Sequence, residues 1–427
     1  MNRRVLRFAL DPTLLLPFLA LIPLAGNGQT RDAVCQNGAG EFSATSSTGV
    51  AVYVGTRKVE GFGSRDCESI LSWKGRQLVA VPHAWQLDVD AMGIDLELGA
   101  PVLALQIRQT DADRFATYRI YSLKQPAQLL REITGSDTYS AVDTDLDGQV
   151  EIWTHDAAAV DDFDNIPLNA FDFPPTVVLR FEKHRLLDVS AGFVAEFDRQ
   201  ISAAKAQLSS EQLIAFKATD GTLAHATTSA PGELHSLTRT KIGILEIVFA
   251  YLYSGRQDQA WQSLRDFWPA ADYQRIHAAI EAARARGILR QVDGTATSTG
   301  RARPKHKIPV FEAKARFDAP SPTTSPTRTA GVMIGPVSVA ALMIADTPPV
   351  AIDMYMKRIG NEGEGPLEER TKVHLIIDDA GKVHSIQFDG PPNEQIEDAT
   401  EGWRFIPARN QGHPVACSLE LFLSSPK

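Results

Sequence analysis

Cysteine is almost absent. Cys35, Cys67 and Cys417 are the only three in 427 residues. No CxxC pair and no Cys/His spacing stands among them, which excludes the thiolate cages of structural zinc. Long apolar runs are missing too. Leu14–Leu24 is interrupted by Pro17 and Pro23, and Val332–Ala345 is broken at Gly335-Pro336. Neither reaches the length needed to cross about 30 Å of hydrocarbon. No GxSxG, HExxH, P-loop or dinucleotide fingerprint occurs, so the familiar nucleophile and phosphate-binding frames are excluded. Net charge is -9 with no basic stripe, which argues against a nucleic-acid surface. Finally, Lys and Arg are missing from residue 143 to residue 179. That interval holds Asp143, Asp145, Asp147, Glu151, Asp156, Asp161, Asp162, Asp164 and Asp172. Such crowding repels itself unless it is solvated or holds cations.

What is present begins with an export signal. Arg3, Arg4 and Arg7 precede the short apolar run, and Ala25, Gly26 and Gly28 follow it, which is the layout of a cleaved secretory segment over residues 1–28. The expected location is periplasmic or secreted, with no membrane span once the segment is removed. In an exported chain Cys35 and Cys67 can close a disulfide. Cys417 lies in the alternating run PVACSLELFL and reads as a buried, inert thiol.

The rest divides by pattern into a multidomain α+β chain. Residues 35–188 carry short β-branched and aromatic runs, such as VAVYVG, PVLALQIRQ, ATYRIYSL and TVVLRFE, between Gly-, Pro- and Asp-rich turns. RIYSLKQPAQLLREI and VVLRFEKHRLLDVS each read as an outgoing strand, a polar turn and a returning strand, a propeller-blade-like echo. Residues 189–292 switch to helical spacing: Phe193, Phe197, Ile201 and Leu208 share a face, Ser209 and Gln212 form a capping box, and Gly287 stops the last helix. Residues 293–330 are a linker rich in Ser, Thr, Pro and basic residues, with too few apolar side chains to offset ordering entropy. Residues 331–427 form a small β-β-α-β domain.

In DTDLDGQVEIW, Asp143, Asp145, Asp147, Gln149 and Glu151 alternate around Gly148. Calcium takes six to eight oxygens from a sharply turning loop, and these positions supply side-chain carboxylates with a backbone carbonyl at Gln149. A helix–loop–helix hand would need a bidentate Glu where Thr154 stands, so the expectation is a loop leading into a strand. The form DxDxDGxxE resembles the calcium loops of FG-GAP and VCBS repeats. The resemblance implies a structural Ca²⁺ held by Asp143, Asp145, Asp147 and Glu151. Asp161, Asp162 and Asp164 offer a second, poorer cation site.

At the C-terminal end, Val373–Asp378 and Val383–Phe388 flank a DDAGK turn with Gly381 free to take positive φ. Asn393 can cap a helix bearing Ile396, Ala399 and Trp403, and a last strand follows. With WRFIPA at Trp403–Ala408 and NQGHPV at Asn410–Val415, this stretch resembles the TonB C-terminal domain. That resemblance implies a sheet whose edge accepts a partner strand, hence an envelope protein docking there. The chain as a whole resembles an exported bacterial protein. His374 and His384 can be placed across the hairpin, where two imidazoles fall short of a complete metal site. The reading is an exported, non-enzymatic envelope protein. The alternative is a periplasmic hydrolase with its site in the β-rich region, where His155-Asp156 is the candidate acid–base pair.

Overall fold

The computed structural model describes residues 34–58, 65–144, 148–223, 231–295, 311–314, 331–333, 350–353, 355–357, 371–392, 396–397, 400, 403–410 and 413–423. The expected signal segment, Asp145 and Asp147, and most of the linker lie outside these residues.

The β-rich region is built as successive antiparallel meanders. After β1 (Cys35–Gln36), the first meander runs β2 (Phe42–Thr45), β3 (Ala51–Lys58), β4 (Arg65–Trp73) and β5 (Arg76–Ala84). The second runs β6 (Gln86–Met92), β7 (Val102–Arg108), β8 (Ala116–Ser122) and β9 (Gln128–Ser136), with β1 added beside β6. The third runs β10 (Tyr139–Val142), β11 (Glu151–His155), β12 (Thr176–Glu182) and β13 (Arg185–Asp188). The two hairpins expected from their sequence echo are β8–β9 and β12–β13.

Period-2 geometry explains how the layers stack. In β7, Leu103, Leu105 and Ile107 face one core together with Val52, Val54, Leu71 and Val89. Val102 and Ala104 of the same strand face another, with Ile120, Ile152, Leu179 and Phe181. The second sheet is therefore covered on both faces, which is why β7 reads as a continuous apolar run rather than an alternation. Cys35 and Cys67 form a disulfide that ties β1 to β4, with Cα atoms 5.8 Å apart.

The helices follow the third meander: the one-turn α1 (Ala157–Val160) inside it, then α2 (Val194–Ala206), α3 (Ser210–Lys217), α4 (Pro231–Tyr253), α5 (Gln257–Phe267) and α6 (Tyr273–Arg286). Ser209 caps α3 in a reciprocal box with Gln212, as its spacing predicts. α4 is the spine. Ile244, Leu245, Ile247 and Val248 are all 0% exposed and join the core of the second and third sheets. The change from strand to helix thus leaves one apolar core continuous across it. Arg239, Lys241 and Glu246 interrupt the apolar face of α4, and no helix among the described residues is long and apolar enough to cross a membrane. The chain returns as β14 (Gly294–Thr295), parallel to β13.

Two pieces of the C-terminal third pair far from their neighbours in sequence. Within the expected linker, β15 (Phe311–Lys314) runs parallel to the last strand. The short strands β16 (Gly331–Met333), β17 (Val350–Asp353) and β18 (Tyr355–Lys357) precede the hairpin β19 (Thr371–Ile377) and β20 (Val383–Phe388). β21 (Arg404–Ile406), β22 (Ala408–Asn410), β23 (His413–Val415) and β24 (Cys417–Leu423) complete the chain. The main sheet here has the order β15-β24-β19-β20, while β16 pairs β18, β17 pairs β21, and β22 pairs β23. The described chain is thus a mixed α and β protein with a β-rich N-terminal region.

Candidate functional site

The acidic loop joins β10 to β11, and its ends are closed by the pairing of Val142 with Glu151. A strand follows the loop, as the Thr154 position implied. Asp143 and Glu151 stand at the two ends of the turn, and both are buried, at 0% and 1% exposed. Their oxygens organise the turn. Asp143 Oδ2 accepts from the Gly148 amide at 2.9 Å, and Glu151 Oε2 accepts from the Thr144 amide at 3.1 Å. Gly148 takes φ +86°, which a Cβ would strain. Trp153 Nε1 donates to Thr144 Oγ1 at 2.7 Å, and Arg180 of β12 brings a guanidinium 3.8 Å from Glu151. Gln149 is half-buried. Asp145 and Asp147 lie outside the described residues. Among the described residues, no three His, Cys, Asp or Glu side chains converge as a metal cluster.

Below the loop, β6 places two more carboxylates inside the fold. Asp90 is 2% exposed; its Oδ2 accepts from the Tyr118 hydroxyl at 2.6 Å and from the Ala141 amide at 2.7 Å. Asp88 lies 3.4 Å from Gln106 Nε2, and Gln106 also donates to the Tyr139 carbonyl at 2.7 Å. These contacts fasten β6 and β7 to β10, the strand that leads into the acidic loop.

The tight turn of the β19–β20 hairpin reaches this same place. Lys382 Nζ ion-pairs with Asp90 Oδ1, and both side chains are buried. Ala380 belongs to the large apolar core of the sheets and helices. Gly381 takes φ +83°, as the DDAGK turn predicts, and its carbonyl accepts from the Phe405 amide at 2.8 Å. A Cβ on Gly381 would stand 1.8 Å from the Phe405 carbonyl oxygen, so the turn and the WRFIPA segment fit only with glycine. Asp378 is fully buried. Its Oδ1 accepts from the amides of Ala380 at 3.0 Å and Lys382 at 2.8 Å, while Oδ2 has no hydrogen-bond partner. Burial pushes the Asp378 carboxyl up to about 7, with the nearby charge of Asp143 adding to the rise.

The other candidates resolve differently. His155 Nδ1 meets Asp137 at 3.0 Å, while Asp156 turns into the core. There Asp156 accepts from the Tyr253 hydroxyl at 2.6 Å and the Ile288 amide at 2.8 Å; burial raises its pKa against those bonds. Neighbours in sequence, the two point apart and do not act as a pair. Ser136 is the hydroxyl beside them. It is bound to the Thr138 carbonyl and accepts from the His155 backbone amide, so it staples a corner of backbone.

Asp161, Asp162 and Asp164 do not gather around a cation. Arg114 takes Asp161 at 2.6 Å and Asp162 at 3.4 Å, whereas Lys241 and Arg275 take Asp164 at 2.7 and 2.5 Å. Burial alone would raise the Asp164 pKa; Arg275 and Lys241 hold it below the usual range. The acidic interval without Lys or Arg is partly balanced by bases from distant segments, Arg239 on Asp172 among them.

Across the C-terminal hairpin His374 faces Gln387 rather than His384, and its Nε2 lies 3.0 Å from Asp389. The register puts His384 three positions short of the place opposite His374. Cys417 is fully buried, and burial pushes its thiol up to about 12, so it is unreactive. Sequence reasoning missed Asp90, Asp378 and Lys382. A signal did exist: Asp88 and Asp90 alternate with apolar residues in QLDVDAM, a pattern that puts charge inside a buried strand.

The chain matches no protein-family model, no curated protein and no solved structure.

Proposed function

We propose that the chain is an exported, non-enzymatic protein of the bacterial cell envelope. A structural calcium ion stiffens the acidic loop through Asp143, Asp145, Asp147, Gln149 and Glu151, and a TonB-like C-terminal region over residues 331–427 engages a protein partner. The observation that carries this reading is the burial of Asp143 and Glu151 at both ends of one turn. Carboxylates drawn inside a fold need compensating charge, and a loop of alternating acids provides the oxygens a hard cation prefers.

Other features support it. The Cys35–Cys67 disulfide suits an oxidising compartment. Three successive four-stranded meanders suit blade-like units over residues 35–188, the setting in which such calcium loops occur. Among the described residues β20 is the outer strand of its sheet, the kind of edge on which a partner strand can pair. Residues 1–28 act as the export signal, 189–292 as the helical support and 293–330 as a connection.

Calorimetric titration of the mature chain with Ca²⁺ tests the ion. Heat of binding is expected from the wild type and not from Asp145→Ala plus Asp147→Ala; equal heats would remove the loop from the site. Crosslinking capture from a cell envelope, with the full chain as bait, tests the partner. Recovery of one defined protein, lost when residues 331–427 are deleted, is the expected result; recovery that survives the deletion rejects the docking role.

A further inference from the structure

We propose that the free side of β24 is a binding edge for an extended protein strand, held closed in the unbound chain by the protein's own β15. This inference deepens the docking reading of residues 331–427 and rests on it for the existence of a partner; the closure itself is tested without one.

The order β15-β24-β19-β20 gives this sheet two edges, and the chain fills one of them with a strand from a remote part of its own sequence. Phe311, Glu312, Ala313 and Lys314 stand opposite Cys417, Ser418, Leu419 and Glu420 in parallel register. The match is chemical as well as geometric. Cys417 and Leu419 are buried, and the apolar Phe311 and Ala313 stand opposite them. Ser418 and Glu420 are half-buried, and the charged Glu312 and Lys314 stand opposite them. The partner that fits this edge is an extended segment, parallel to β24, in which apolar and charged residues alternate.

β15 is also the strand of this sheet that is easiest to displace. It has four residues and pairs on one side, whereas β24 pairs β19 from Thr371 opposite Leu423 to Ile377 opposite Cys417. Parallel pairing is slightly weaker per residue than antiparallel pairing. Loss of β15 leaves the ladders of β24 with β19 and of β19 with β20 whole. Among the described residues, β15 covers β24 only as far as Glu420, and residues 421–423 form a ladder on the β19 side alone. A longer partner strand can take hold there and then gain more backbone hydrogen bonds than the segment it replaces. Because β15 belongs to the same chain, it competes at an effective concentration on the order of millimolar. That competition shuts out short, weak strands and admits a longer one.

The test uses the mature full-length chain, with a labelled peptide of residues 308–316 as the probe. Glu312→Pro plus Ala313→Pro disables β15: successive strand residues turn alternately toward and away from β24, so one of the two prolines removes a ladder donor. By fluorescence anisotropy, the peptide is expected to bind this variant at least about tenfold more tightly than the wild type, whose own strand competes. In hydrogen exchange on the wild type, the most protected amide of residues 311–314 is expected to exchange at least about tenfold faster than that of residues 417–421. Equal peptide affinity for the two proteins, or no binding to the variant, overturns the inference. Equal protection of the two strands overturns it as well, and that measurement stands even where the variant does not fold. Envelope capture that survives deletion of residues 331–427 rejects the docking reading instead, and it leaves the peptide result untouched.

Discussion

Lys382 and Asp90 are 292 positions apart in the chain, yet their side chains form an ion pair that is almost wholly withdrawn from solvent. Asp90 is simultaneously held by Tyr118 and the Ala141 amide, so its carboxylate is surrounded by donors. The pair makes the C-terminal hairpin part of the same buried network as the strand entering the acidic loop.

Removing one partner of such a pair strands the other. Lys382→Ala is expected to destabilise the chain by about 3–5 kcal/mol, because Asp90 keeps a buried charge. Asp90→Asn combined with Lys382→Met is expected to cost clearly less than the two single changes added together. Urea unfolding of the four proteins in the cycle measures this. Strict additivity would show that the two residues do not interact in solution.

Gly381 tests the turn itself. Gly381→Ala brings a Cβ to 1.8 Å from the Phe405 carbonyl oxygen and asks a side chain to accept φ +83°. The turn must open, which releases the Gly381–Phe405 backbone bond. The expected loss is about 2 kcal/mol or more, the range of strain combined with a broken hydrogen bond. Gly390→Ala, where nothing lies within 4 Å, serves as the control and is expected to change little. Equal thermal midpoints for the two variants would refute the close approach.

Local chemistry was legible and distant pairing was not. The Ser209–Gln212 box, the Gly381 turn and the β8–β9 hairpin are set by residues within a few positions of each other, where capping and turn preferences act. β4 escaped notice because RDCESILSW is polar in its first half and lacks strand alternation there. β15 was read as tether because its pairing partner, β24, lies about a hundred residues on. The loop Asp143–Glu151 announced itself through its spacing. Asp378 did not, since its DDAGK context reads as an ordinary turn residue, whereas the structure buries it fully. Pairings between remote charges leave no periodic mark on a sequence.

Glu246 provides a pH-dependent readout. It is 3% exposed on α4, and its Oε1 accepts from the amides of Asp172 at 2.7 Å and Phe173 at 2.9 Å. Burial raises its carboxyl to about 7 despite those two bonds. A folded-state pKa above the unfolded one means the folded chain binds the proton more tightly. The protonated residue therefore adds stability below about pH 4.5, and that stability is lost as pH rises toward about 7. The full swing is on the order of 3 kcal/mol. Glu246→Gln keeps the acceptor and removes the titration. Its thermal midpoint is expected to fall less than that of the wild type between pH 4.5 and 7. Parallel profiles for the two proteins would show that Glu246 does not titrate in this window.

The disulfide makes a prediction in which all three cysteines take part. Cys35 and Cys67 are 32 positions apart, and the bond ties β1, added beside the second meander, to β4 of the first. Closing a loop of that length removes unfolded-state entropy worth about 4 kcal/mol at 25 °C in the chain-entropy account. Replacing both cysteines with serine is expected to cost up to that amount and to be felt first in β2–β5. Cys417, in contrast, sits fully buried in β24 with a thiol raised to about 12. A thiol-specific reagent should find no reactive group in the folded chain, one after unfolding without reductant, and three after unfolding with it. One thiol reacting in the folded state would mean that β24 does not seal Cys417. Three reacting after unfolding without reductant would mean that the bridge between β1 and β4 is not formed.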